Sequence, residues 1–156
     1  MTIDGLKIDR EERDPQPIVG LHEVVAMTDL SDFFGRAFEA AAAELARLGE
    51  APAGPPVALY RGPASETIDV VAGFPVRHVV TPTGGLVVEM LPGGSLVETI
   101  HTGSYDDLGR TYAGFSEWFA EQGLTVSGAM WEEYLVGPES ETDPSRWQTR
   151  IVYPVA

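Results

Sequence analysis

The chain contains no cysteine. Disulfides, thiol nucleophiles and thiolate metal sites are therefore excluded together. Cations are scarce as well: 10 Lys and Arg stand against 24 Asp and Glu, a formal net charge of −14. Nucleic-acid interfaces need clustered Lys and Arg, and the few here are scattered, so no direct nucleic-acid binding is expected. There is no apolar run of about 18 residues, hence no predicted membrane span. The N-terminus, MTIDGLKIDREERDPQP, is charged and lacks the apolar stretch of a signal peptide. With the missing cysteines this places the protein in the cytoplasm. The histidines, His22, His78 and His101, are far apart and have no paired spacing, so neither a metal site nor a cofactor is expected. No Gly-x-Ser-x-Gly elbow accompanies Ser104, which reads as a helix cap. The Gly84-Gly85 and Gly93-Gly94 pairs lack the lysine of a phosphate loop.

What is present is a folded chain: 156 residues, 44% hydrophobic, enough for one domain with a core. Its acidity keeps the surface solvated and favours cationic ligands through the long-range field.

The chain also repeats itself. Asp32, Gly35, Arg36, Gly49, Gly54 and Tyr60 match Asp106, Gly109, Arg110, Gly123, Gly128 and Tyr134 at one constant interval. Gly62-Pro63 matches Gly137-Pro138 after one insertion, and Phe74-Pro75-Val76 matches Tyr153-Pro154-Val155. Each copy reads as strand, helix, strand, strand. The strands Ile18 to Met27 and Ser95 to Thr102 come first. The helices Leu30 to Leu48 and Tyr105 to Gln122 follow, each stopped by a glycine, with apolar stripes Phe34, Ala37, Phe38, Ala41, Leu45 and Leu108, Tyr112, Phe115, Phe119. Two hairpins close the copies: Val57 to Arg61 with Ile68 to Phe74, and Ala129 to Val136 with Gln148 to Tyr153. The expected fold is α+β, a duplicated β-α-β-β unit. It forms a mostly antiparallel sheet of about six to eight strands with two helices, and a groove between pseudo-twofold halves. Residues 1–17 are a charged arm, 18–156 a single domain, with copies at 18–76 and 86–155. Val79-Val80 and Leu86-Val87-Val88 read as an extra hairpin around Pro82 to Gly85.

One stretch, MWEEYLV from Met130 to Val136, carries two adjacent acids among large apolar residues. On a strand they point to opposite faces, so a buried face takes one carboxylate with it. Their repeat mates are Ala58 and Leu59, so the fold requires neither acid. A carboxylate beside aromatic rings is what a cation site needs. In the alternative that stays open, one acid is solvated and the other is salt-bridged to Arg150 or Arg61.

The segments HTGSYDDLGRTYAGFSEWFAEQGL, WEEYLVGP and TRIVYPV together resemble the GyrI-like small-molecule-binding domain, the effector-binding part of multidrug-responsive transcription activators. The resemblance spans Ile18 to Val155. It implies a central aromatic pocket in which a strand glutamate pairs with lipophilic cations. By the Trp-Glu-x-Tyr match that acid is Glu132, with Tyr134 on the same face; Glu133 as the pocket acid stays open. Trp131 also matches by motif, and Tyr60, the repeat mate of Tyr134, approaches from the other half. Trp118 and Phe115 read first as core, though Trp118, off the apolar stripe of its helix, is also placed to look toward the groove; Trp147 either caps the pocket or covers the sheet edge. With about seventeen residues ahead of the first expected strand, no helix-turn-helix is expected and the domain stands alone. Three functions follow: binding of amphipathic cationic small molecules for sequestration or effector sensing; hydrolysis of reactive small molecules, with Glu132 as general base and Tyr134 orienting; or a protein partner engaged through acidic, DNA-like charge.

Overall fold

A computed structural model describes residues 2–3, 6–62, 65–125 and 128–155. Nine strands and two helices follow one another: β1 (Thr2–Ile3), β2 (Leu6–Arg13), β3 (Gln16–Ala26), α1 (Leu30–Leu48), β4 (Val57–Arg61), β5 (Thr67–Pro75), β6 (Leu86–Leu91), β7 (Gly94–Thr102), α2 (Leu108–Gln122), β8 (Ala129–Val136) and β9 (Gln148–Pro154). The fold is α+β, as expected. All strands join one antiparallel sheet in the order β1-β2-β7-β9-β8-β4-β5-β3-β6.

Apart from β1, that order is symmetric about its centre. The triplets β7-β9-β8 and β4-β5-β3 are reversed images that meet at the β4–β8 pair. Both helices end on a left-handed glycine, Gly49 at φ 72° and Gly123 at φ 64°. Each triplet is preceded in the chain by one further strand. Leu6–Arg13, read as an arm, is strand β2 and pairs with β7 of the other half. Its counterpart β6 pairs with β3. Each half therefore lends its leading strand to the other. The arm was misread because β2 is mostly charged: its burial pattern leaves only Ile8 fully inside.

The hairpin expected between Val79-Val80 and Leu86-Val88 does not form. Val79 is 67% exposed, Val80 packs beside Val19, Leu45 and Val76, and β6 takes β3 as its partner instead. The Pro82–Gly85 turn is held from α1, where Glu44 accepts from the Thr83 N–H at 2.5 Å and its hydroxyl at 3.1 Å.

Both sheet faces are buried, for different reasons. Helix α1 covers Val25, Ala58, Val70 and Ala72 with Phe33 and Ala37. Helix α2 covers Ile8, Val97 and Ile151 with Phe115, Trp118 and Phe119, and Met130 sits at the seam between the two clusters. The opposite face has no helix. There the sheet curls on itself, so that Ile18 and Leu91 from one end meet Leu96, Trp131 and Val152 from the other. The curl needs close backbone approach: a Cβ on Gly73 would lie 1.8 Å from the Val19 carbonyl oxygen.

Candidate functional site

Strand β8 separates the two acids by alternation. Met130, Glu132 and Tyr134 face the helices, beside Ala58 and Tyr60 of β4 and Ile151 of β9. Trp131 and Glu133 face the curled side.

Glu132 is 5% exposed, and among the described residues its hydrogen-bond donors are phenols. Its Oε1 accepts from the Tyr134 hydroxyl at 2.6 Å and from the Tyr60 hydroxyl at 3.2 Å. Its Oε2 accepts from the Tyr112 hydroxyl on α2. No Lys, Arg or His among the described residues is ion-paired with it. Burial, then the negative charge of Glu132, raises the pKa of Tyr60, Tyr112 and Tyr134 above the ordinary phenol value, which keeps all three as donors. The same two causes reach Tyr153, pushed up to about 12, and Tyr105.

An aromatic wall encloses this cage. Phe34 and Phe38 of α1 stack at 5.8 Å, and each meets Tyr134 edge-on, at 6.1 and 6.0 Å. Tyr105, just before α2, meets Tyr134 at 6.1 Å and Trp147 at 5.0 Å. Trp147 is pinned by its Nε1–H, which donates to the Glu141 carbonyl at 2.8 Å. Ser104 caps the turn that carries Tyr105 by accepting from the Asp106 N–H.

Glu133 has the opposite surroundings. Arg150 donates to it at 2.7 Å and Arg13 at 3.0 Å, and the Trp131 indole N–H donates at 3.0 Å. Burial works to raise this carboxyl, but the indole and the two guanidiniums outweigh it and hold the pKa below the usual value. Glu98 and Glu11 extend the network through the same two arginines. Arg61, the other candidate partner, pairs with Glu89.

The structure thus brings together Glu132, Tyr134 and Tyr60, with Trp147 on the rim. It does not bring Trp131, which packs on the curled face and lines, with Arg13, Glu133 and Leu91, a cleft of about 400 Å³ there. Trp118 is also elsewhere, 2% exposed in the α2 core against Phe115 and Phe119. The sequence reading missed Tyr112, Phe34, Phe38 and Tyr105 as site residues. A signal was present: Phe38 and Tyr112 stand at the same sequence interval as Tyr60 and Tyr134, and Tyr112 bonds the carboxylate while Phe38 packs on Tyr134.

The family model of the GyrI-like small molecule binding domain matches residues 7–156. Comparison with curated proteins finds no match. Among solved structures, the chain is similar to EcmrR in its DNA complex (TM-score 0.80, 19% identity), covering 96% of this chain and 57% of that one. It is similar to the isolated EcmrR C-terminal domain (TM-score 0.79, 18% identity), covering 97% of this chain and 98% of that one. It is also similar to SAV2435 bound to tetraphenylphosphonium (TM-score 0.65, 13% identity, 96% and 94% covered). At these identities the likeness is one of fold.

Proposed function

The chain belongs to the GyrI-like small molecule binding domain family, and from that premise we propose that it holds an amphipathic cationic small molecule against Glu132. One observation carries the reading: the Glu132 carboxyl is buried among three phenols, and no Lys, Arg or His of the described residues is ion-paired with it. A buried carboxylate held only by neutral donors keeps its charge available to a partner. The rings of Phe34, Phe38, Tyr105, Tyr134 and Trp147 supply apolar contact and negative π faces for a lipophilic cation. Tyr105, 36% exposed, and Trp147 form the side by which a ligand enters. The tetraphenylphosphonium complex of a protein with this fold is consistent with such a ligand. The biological use is sequestration or effector sensing. Hydrolysis by Glu132 as general base is less well supported, since a phenol must first leave the carboxylate before water can be activated there.

Titration calorimetry with tetraphenylphosphonium and the neutral triphenylphosphine oxide tests the proposal. The cation is expected to bind more tightly, and Glu132→Gln to weaken it by about 1–3 kcal/mol, the scale of a desolvated charge-assisted contact. Equal binding of both compounds, with no effect of Glu132→Gln, overturns it. Mass spectrometry of ester-bearing ligands after incubation separates binding from turnover. Capture of a basic protein with no small-molecule binding favours the acidic-mimic reading.

A further inference from the structure

Thr149 on β9 is fully buried, and its hydroxyl has no hydrogen-bond partner among the described residues. Such groups are rare because an unpaired polar group inside a fold is costly. The register places Thr149 opposite Tyr134 of β8 and opposite His101 of β7. The three side chains form one row on the helix-bearing face, with Cβ atoms about 5 Å apart. Neither neighbour serves the hydroxyl. The Tyr134 O–H is given to Glu132. The His101 Nε2 lies 3.0 Å from the Ser104 carbonyl, to which it must donate, and Nδ1 is 2.7 Å from the Thr111 hydroxyl. Both ring nitrogens are engaged.

Thr149 is also a neighbour of the carboxylate. Glu132 pairs with Ile151, two residues along β9 and on the same face. Glu132 and Thr149 are therefore diagonal neighbours, with backbones about 7 Å apart. Trp147, two residues before Thr149, meets Tyr105 at 5.0 Å, and Thr149 pairs with Tyr134, so both sides of this stretch of chain border the aromatic cage.

We propose that the Thr149 hydroxyl is a second recognition point of the Glu132 site, donating to a carbonyl, ester or ether oxygen that the ligand carries a few bonds from its cationic centre. An acceptor is the match because an orphaned donor is harder to tolerate than an orphaned lone pair. The ligand class narrows accordingly, to amphipathic cations with an acceptor arm rather than all-hydrocarbon cations. The inference rests on the cation lying against Glu132.

The test compares benzoylcholine with trimethyl(4-phenylbutyl)ammonium, its alkyl counterpart of equal chain length, by calorimetry on the full chain and on Thr149→Val. Tetraphenylphosphonium binding to the parent chain reports on the underlying reading. The parent is expected to prefer the ester by about five-fold, and Thr149→Val to bring the ratio near one. Thr149→Val is isosteric and removes an unpaired hydroxyl, so the ligand-free variant is expected to melt above the parent. If tetraphenylphosphonium binds but the parent shows no ester preference, or the variant keeps it, the inference is overturned and the cation reading stands. A variant that melts below the parent also overturns it, because the hydroxyl is then satisfied within the fold. If the parent binds none of the three cations, the cation reading falls and takes this inference with it.

Discussion

Glu133 sits between two guanidiniums and an indole N–H, while Glu132, one bond step along the chain, sits among phenols. Removing either charge has a different result. Glu133→Gln leaves Arg13 and Arg150 short of an anion, and is expected to cost about 1–3 kcal/mol of stability in a denaturant titration without lowering affinity for tetraphenylphosphonium. Glu132→Gln replaces a carboxyl that no Lys, Arg or His of the described residues pairs with, so it is expected to lower affinity and leave stability unchanged or higher. If Glu133→Gln is the variant that loses the cation, the assignment of the two acids is reversed. The sequence made half of this pair legible. Alternation required the acids to part, and the apolar mates Ala58 and Leu59 marked both as additions to the fold. Of the three phenols, Tyr134 and Tyr60 were already placed beside Glu132; Tyr112 was read only as part of the apolar stripe of α2, because a stripe gives the buried face of a helix and not which strand residue it meets.

Strand β2 is held by charge as much as by its single buried Ile8. Glu11 and Arg13 on β2 face Glu98 of β7, Arg150 of β9 and Glu133 of β8. Three acids share two arginines, which brings Glu11 and Glu98 to the same guanidinium of Arg13. Burial, then the neighbouring Glu11 carboxyl, pushes Glu98 up to about 7. The folded chain therefore binds a proton that the unfolded chain releases near the ordinary carboxyl value of 4.5. More protons on the folded state means stability falls as pH rises through that window, from about 4.5 to about 7. Glu98→Gln is expected to flatten the fall of the melting temperature over this range; an unchanged pH profile refutes the assignment. Glu44 on α1 works the other way. Arg47, then the Thr83 backbone N–H, lowers it to about 2, so its contribution is lost as pH drops from 4.5 towards 2. The charged pattern that hid β2 from a hydrophobic-periodicity reading is the same pattern that docks it. The helices were legible down to their glycine stops, because those signals are local.

At the scale of the whole molecule, the exchange of leading strands joins the halves more tightly than the β4–β8 seam alone. Removing residues 1–15 exposes the edge of β7 and uncovers the Ile8 position under α2, and is expected to abolish a single cooperative melting transition. Retention of that transition would show that β2 is dispensable. Spaced glycines and tyrosines suggested two related units, but nothing suggested the exchange, since pairing between distant strands leaves no mark on either one alone.

The exchange also bears on how the chain tolerates being cut. Residues 77–85 lie between the two copies and contribute no strand. Severed there, each fragment still carries the edge strand that its companion lacks: β2 goes with the first fragment and belongs beside β7, while β6 goes with the second and belongs beside β3. Tyr60 departs with one piece, and Glu132, Tyr112 and Tyr134 with the other. The two fragments are built to clasp, so the protein is a natural candidate for fragment complementation, with the tyrosine cage whole only when both pieces have met.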